Sequence, residues 1–295
     1  MLKTEAPSDK HPELDRYAVD ELVDAFIEDQ GHALAAVRAA SDGIARAVGA
    51  AVERLQDAGR LIYVGAGTSG RIGVLDSVEL FPTFSWPRSR AVSLLAGGRA
   101  ALFEAVEGAE DSAEQGEHDL RAIGITAHDV VILIAASGTT PFVLGALNAA
   151  RIAGALTIAI ANNPQAPLTQ HADIAITLDT GSELISGSTR LKAGTAQKIA
   201  LNTLSSAIMV RLNKVYGNLM VDLHPTNEKL FRRAVSLTVQ ATQVDEETAR
   251  RMLAACGYRV KVAIVALSKQ LDVTGAEARL IAAKGSVREA LADET

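Results

Sequence analysis

The chain has 295 residues, 48% hydrophobic and 22% charged, with a formal net charge of -6. This is a globular profile with room for one large domain and a smaller one. The acidic balance and an aromatic content of 4% argue against a nucleic-acid partner, and no apolar run is long enough to predict a membrane span. The single cysteine, Cys256, allows no internal disulfide, and Met1 to Pro12 hold no apolar stretch of leader type. Both features predict a cytoplasmic protein, with Cys256 in the core of C-terminal helices.

Residues 1–58 read as an N-terminal helical segment. Leu22, Val23, Phe26 and Ile27 recur at helical spacing, and so do Ile44, Val48, Ala51, Val52 and Leu55. From Arg60 the pattern changes. Short apolar runs at 61–64, 91–95, 130–135, 156–160 and 174–178 alternate with helical stretches. Their apolarity is continuous, as in strands covered on both faces. The expectation over 59–222 is a doubly wound α/β domain with a mostly parallel five-stranded sheet. Ligands of such sheets bind beyond the C-terminal strand ends. A long helix is predicted from near Thr189 to about Asn213. Tyr216 to Glu228 reads as an irregular connection around Pro225, and 223–295 as a small C-terminal helical region.

Three loops are rich in hydroxyl groups and glycine. Gly65-Ala66-Gly67-Thr68-Ser69-Gly70-Arg71 follows the first strand and opens a helix. Glycine lets the backbone approach a ligand, and free N–H groups at a helix N-terminus favour an anion. Ser137-Gly138-Thr139-Thr140-Pro141 follows the strongest strand, with Pro141 suited to the first helical turn. Ser186-Gly187-Ser188-Thr189 precedes Arg190 and Lys192. Any one of them reads most simply as an ordinary helix cap. Three after strands of one sheet predict a shared phosphate site.

Acidic residues are harder to select. Glu79 closes the helix that starts near Ser69, and Glu107, Glu110 and Asp111 cluster further on. A solvated surface place is the ordinary reading of each, whereas two carboxylates beside a phosphosugar can serve as general acid and base. His32, His118, His128 and His171 read as surface positions, and His224 falls in the irregular connection. No cluster has metal-ligand spacing, so no metal and no cofactor are expected.

Taken together, these motifs resemble the N-acetylmuramic acid 6-phosphate etherases of the sugar isomerase (SIS) domain superfamily. The matching strings are Gly65–Arg71, Gly73-Val74-Leu75-Asp76, Glu79, Ala105–Asp111, Ala135-Ala136-Ser137-Gly138, Gly187–Lys198, Gly217–Asp222 and Thr226–Lys229. They span about residues 4 to 290. The resemblance implies a SIS-type fold with a small ubiquitin-associated-like C-terminal domain. It implies a lyase that cleaves the D-lactyl ether of N-acetylmuramic acid 6-phosphate by elimination and then hydration, within cell-wall recycling. It assigns Glu79 as the acid and Glu110 as the base. The phosphosugar would be held by Gly67, Thr68, Ser69, Ser137, Gly138, Thr139, Thr140, Ser186, Ser188, Thr189 and Lys192. An acid working near neutral pH needs an apolar setting, for which Leu75, Val78, Leu80 and Phe81 are the candidates. His224 and Lys229 are candidates for assisting ring opening, and each suits a structural place in its loop equally well.

The chain departs from the family pattern in places. Thr139 stands where arginine is usual, Phe142 where tyrosine is common, Leu80-Phe81 for Cys-Pro, and Ala161-Asn162-Asn163-Pro164 for Ser-Cys-Asn-Pro. The missing arginine bears on affinity or substrate range, because it would meet an anionic oxygen. An aldose–ketose phosphosugar isomerase is the alternative enzyme reading and needs only one base. A non-catalytic sugar-phosphate-binding regulator is the third, although such regulators carry two SIS units.

Glu79 lies ten residues beyond Ser69, which is about 15 Å along a continuous helix. A hexose phosphate is too short to span that comfortably. Either the helix breaks near Gly73, or a homodimer shares residues across its sites. The second arrangement is the one expected.

Overall fold

The computed structural model describes residues 2–292 except His224 and Thr226. The chain forms two compact units. One holds the residues up to Val78 together with Ser89–Ser206, and the other holds Glu79–Arg88 together with the residues from Ala207 onward. The N-terminal helices therefore belong to the same unit as the sheet.

In the first unit, α1 (Val19–Ala39) and α2 (Ser41–Leu55) precede the sheet. Ile44, Ala47, Ala51 and Leu55 bury one face of α2 at helical spacing, whereas α1 leaves Val19, Val23, Ile27 and Leu34 exposed. The predicted apolar pattern of α1 is present, but part of it points outward.

Five strands follow: β1 (Leu61–Gly65), β2 (Ala91–Leu95), β3 (Val130–Ile134), β4 (Leu156–Ala161) and β5 (Ile174–Thr177). They are all parallel, in the order β2-β1-β3-β4-β5. Every residue of β1, β3 and β4 is buried, as the continuous apolar runs predict. β2 and β5 lie at the edges and are mostly half-buried. The sheet is crossed by α3 (Gly67–Phe84), α4 (Ala113–Ala122), α5 (Pro141–Ile152) and the short α6 (Pro167–His171). Ile62, Val64, Leu133, Phe142, Val143 and Leu147 fill the core on one face of the sheet. The chain order reverses between β1 and β3, and that reversal opens a crevice beyond their C-terminal ends.

Two predicted helices differ at their ends. α3 runs on past Glu79 to Phe84, with Pro82 inside it. Proline has no N–H to donate to the carbonyl four residues before it, a loss confined to the last turn, and Ser85 N still donates to the Phe81 carbonyl oxygen at 2.9 Å. The helix after the third loop, α7, is Lys192–Arg211 rather than Thr189–Asn213.

In the second unit, α8 (Glu228–Thr242), α9 (Glu246–Ala255), α10 (Val260–Lys269), α11 (Val273–Ala282) and α12 (Val287–Leu291) pack together. Leu237, Leu253, Cys256, Ile264, Val265 and Leu280 are buried among them. Asn227, Asp245, Asp272 and Ser286 each accept an N–H of the helix they open, which sets the boundaries of α8, α9, α11 and α12. Asp222 accepts from both Lys214 (2.7 Å) and Lys261 (2.9 Å), pinning the connection before α8. Among the described residues, no helix is long and apolar enough to cross a membrane.

Candidate active site

β1 and β3 are paired with Gly65 beside Ile134, so the loops that follow them emerge side by side, one strand spacing of about 4.8 Å apart. A Cβ on Gly65 would stand 2.7 Å from the Gly70 Cα. Only glycines let the chain turn that tightly from strand into helix. Gly67 opens α3 with φ at 50°, and Ser69 is buried in its first turn.

The second loop closes on itself. Ser137 Oγ accepts from Thr139 N at 3.2 Å and lies 3.5 Å from Thr140 Oγ1. Thr140 opens α5 without a side-chain cap bond, and Pro141 follows as predicted. Its hydroxyl is therefore turned toward the loop and not toward the helix. The third loop reaches the first by way of α7: a Cβ on Gly194 would lie 3.4 Å from both the Thr189 carbonyl oxygen and the Thr68 methyl. Thr68 and Thr189 thus flank one glycine.

A cavity of about 250 Å³ lies against the first loop, bounded by Ala66, Gly67, Arg71, Val106, Glu107 and Glu110. The structure brings Glu110 to the first loop, although the two are more than thirty residues apart in sequence. Glu110 is exposed in a short turn, Ala109–Asp111, entered through Gly108 at φ 71°. Glu79 lies on the exposed side of α3 in the second unit, with Leu75 and Val78 exposed beside it. Of the apolar neighbours expected around it, only Leu80 is buried. α3 is unbroken at Gly73, so the helix break that would bring Glu79 back toward its own loop does not occur.

Lys192 is placed elsewhere. It lines a different cavity, of about 280 Å³, with Asp29 and His32. Its ammonium, almost fully buried, pairs with Asp29 Oδ1 at 2.6 Å. The start of α7 is also occupied: fully buried Glu183 accepts Lys192 N and Ala193 N at 3.2 and 2.9 Å. Burial pushes the Glu183 carboxyl up, against the pull of those two N–H groups and the Lys192 charge. Lys192 and Glu183 thus hold the third loop from inside.

Sequence reading also missed the N-terminus. Thr4 is fully buried. Asn163 Nδ2 donates to Thr4 Oγ1 and to the Ala136 carbonyl oxygen, both at 2.9 Å. One side chain thereby ties the N-terminal segment to the residue preceding Ser137. Asn163 in the Asn-Asn-Pro run was the available clue. His32, His118, His128 and His171 are exposed, as expected, and His224 lies outside the described residues. Among the described residues, no group of three or more His, Cys, Asp or Glu side chains is placed to hold a metal.

Three family models match the chain. The N-terminal SIS domain of glucokinase regulatory protein covers residues 43–151, the SIS domain covers 101–207, and the C-terminal lid domain of glucokinase regulatory protein covers 217–263. With the parallel sheet and the loop cluster at its reversal point, the first unit is a SIS domain. Curated relatives narrow this further. The N-acetylmuramic acid 6-phosphate etherase of Deinococcus radiodurans is 55% identical over 99% of this chain and 95% of its own. That of Mycolicibacterium smegmatis is 48% identical, over 98% and 97%, and that of Salmonella typhi is 46% identical, over 98% of this chain and 98% of its own. The chain belongs to the N-acetylmuramic acid 6-phosphate etherase family. A solved structure, the C-terminal domain of glucosamine-fructose-6-phosphate aminotransferase from Francisella tularensis, is more distant. It is 19% identical, with a TM-score of 0.48, and covers 81% of this chain and 60% of that one.

Proposed function

We propose that this chain is a lyase that cleaves the D-lactyl ether of N-acetylmuramic acid 6-phosphate, releasing N-acetylglucosamine 6-phosphate and D-lactate. The observation that carries this reading is 55% identity to a curated etherase across 99% of the chain. The loop cluster supports it, because the substrate's phosphate needs donors. The first turn of α3 offers N–H groups with the Thr68 and Ser69 hydroxyls, and Ser137, Thr139, Thr140, Ser186, Ser188 and Thr189 supply further hydroxyls.

The open-chain aldehyde acidifies the C2 proton. The Glu110 carboxylate takes that proton, and the electron pair forms the C2–C3 double bond as the C3–O bond breaks. Glu79 gives its proton to the departing lactate oxygen. Water then adds to C3 of the unsaturated aldehyde, C2 is reprotonated, and the ring closes. Elimination and hydration leave no net oxidation or reduction, so acid–base groups suffice and the route calls for no cofactor.

The enzyme works as a cytoplasmic homodimer with composite sites, in cell-wall recycling. Two observations support the dimer. α1 exposes Val19, Val23, Ile27 and Leu34, whose spacing of four, four and seven residues makes one helical stripe. α3 exposes Leu75 and Val78 beside Glu79. A second copy covering these faces gives Glu79 the apolar setting an acid needs, and it brings Glu79 to a site that its own helix holds about 15 Å away from Ser69.

The test is D-lactate release from N-acetylmuramic acid 6-phosphate in heavy-oxygen water. Solvent oxygen at C3 of the product is the expected result. No lactate from folded protein overturns the reading. Mixed dimers of Glu79→Ala and Ser69→Ala subunits recover activity if the site is shared, and no recovery counts against sharing.

A further inference from the structure

Arg71 closes the phosphate-turn motif, yet no role in phosphate binding or acid–base chemistry falls to it. Its Nε–H donates to the Ala101 carbonyl oxygen at 2.8 Å, and Nη2–H donates to the Glu104 carbonyl oxygen at 3.1 Å. Both acceptors belong to the segment that leads into Glu110, thirty and thirty-three residues further along the chain.

The segment is anchored at its far end, where the Ala109–Asp111 turn packs on α5 and Ala109 lies against the core. Residues 103–108 are exposed. Their backbone bonds are local: Phe103 N and Glu104 N donate to the Ala100 carbonyl oxygen, and Ala109 N donates to the Val106 carbonyl oxygen. Short local turns fix a loop's shape but not its place relative to a distant helix. One apolar contact assists, since Val106 packs so closely over Gly97 that a Cβ there would meet it at 2.9 Å. Arg71 supplies the bridge from this segment to α3, and it lines the same cavity as Gly67 and Glu110.

We propose that Arg71 is a positioning residue that locks the segment carrying Glu110 onto the first turn of α3. Given Glu110 as the base, the turn that holds the phosphate and the group that takes the C2 proton are then kept at one fixed spacing. The residue type suits the task. A guanidinium is a planar fork that donates to two acceptors at once, whereas an ammonium on a flexible stem does not hold two carbonyls at a set separation.

The experiment is steady-state kinetics of Arg71→Lys, Arg71→Gln, Glu110→Gln and the double variant Arg71→Gln/Glu110→Gln, with thermal unfolding to verify folding. Displacement of a reacting group by about 1 Å costs on the order of 100-fold in rate. The expected result is a loss of that order in kcat for Arg71→Gln with KM little changed, and most of that loss for Arg71→Lys. In the Glu110→Gln background, Arg71→Gln should remove little more, because the base it positions is already gone. Fully multiplicative losses in the double variant, a loss confined to KM, or an Arg71→Lys enzyme at wild-type kcat each overturn the proposal. Wild-type kcat for Glu110→Gln is a different failure. It removes the base assignment itself, and the positioning role with it.

Discussion

Gly194 on α7 faces Thr68 on α3 so closely that a Cβ at position 194 would stand 3.4 Å from the Thr68 methyl. The same Cβ would stand 3.4 Å from the Thr189 carbonyl oxygen and 3.6 Å from Ile72 Cδ1. These are ordinary contact distances, so one methyl group fits and a longer side chain does not. Alanine also removes the penalty of glycine inside a helix, about 1 kcal/mol. Gly194→Ala should therefore keep its KM and raise the unfolding temperature. Gly194→Leu overpacks the site by roughly 1–3 kcal/mol and pushes the first and third loops apart. A several-fold rise in KM for the 6-phosphosugar is expected. Thermal unfolding and steady-state kinetics on the two variants check both directions.

Gly138 in the second loop has φ at 69°, and a Cβ there would come within 2.4 Å of the Ala166 Cβ. Both backbone strain and a clash oppose any side chain. The left-handed conformation alone costs a non-glycine residue roughly 1–2 kcal/mol. Gly138→Ala should unfold at lower temperature and lose substrate affinity, because Ser137 and Thr140 are displaced with the turn. A variant with unchanged KM would separate this loop from the phosphate site.

Asp129 anchors the start of β3. Its buried carboxylate accepts from Arg60 N, Nε and Nη2 at 3.0, 2.9 and 2.7 Å, and from Thr126 N at 2.8 Å. Burial alone would push this carboxyl up, but the donors from Arg60 and Thr126 more than offset it and hold it below its ordinary value. The group therefore adds stability above its unfolded-state value of about 3.9 and loses it as pH falls toward the folded-state value. Asp129→Asn removes the carboxylate from Arg60, whose guanidinium keeps the Ile123 and Gly124 carbonyl oxygens, at a loss of roughly 1.5–3 kcal/mol at neutral pH. Urea unfolding between pH 7 and pH 3 should show the variant's stability falling less steeply in acid than that of the wild type. Parallel curves would contradict this assignment.

The exposed stripe on α1 bears on assembly. Val23 is 50% and Ile27 67% exposed, and a charge on each is tolerated by a free monomer but not by a covered interface. Val23→Asp/Ile27→Asp should sediment as a monomer, and its activity should collapse if Glu79 works across the interface. A dimeric, fully active double variant would place the contact elsewhere.

Some of this was legible without coordinates. The five strands and their burial follow from short continuous runs of Val, Ile and Leu, because parallel strands are covered on both faces. The turn after β1 is readable because Gly65, Gly67 and Gly70 allow a close strand-to-helix passage. Glu79 and Glu110 were a different matter. Nothing in their spacing separates them from the other acids, and they were selected only through the resemblance of the surrounding strings.

By itself, then, the sequence determined what depends on neighbours in the chain: helical and strand periodicity, the glycine turns and the family. Only the tertiary structure decided which polar groups meet. Lys192 finds Asp29 across 163 positions, Arg71 finds the carbonyls before Glu110, and Thr4 finds Asn163. Such pairings satisfy buried donors and acceptors left over once the backbone has packed, and their partners come from whichever segments that packing brings together. The same holds for exposure: the apolar stripe of α1 has a periodicity that reads as core, and only packing shows that it faces outward.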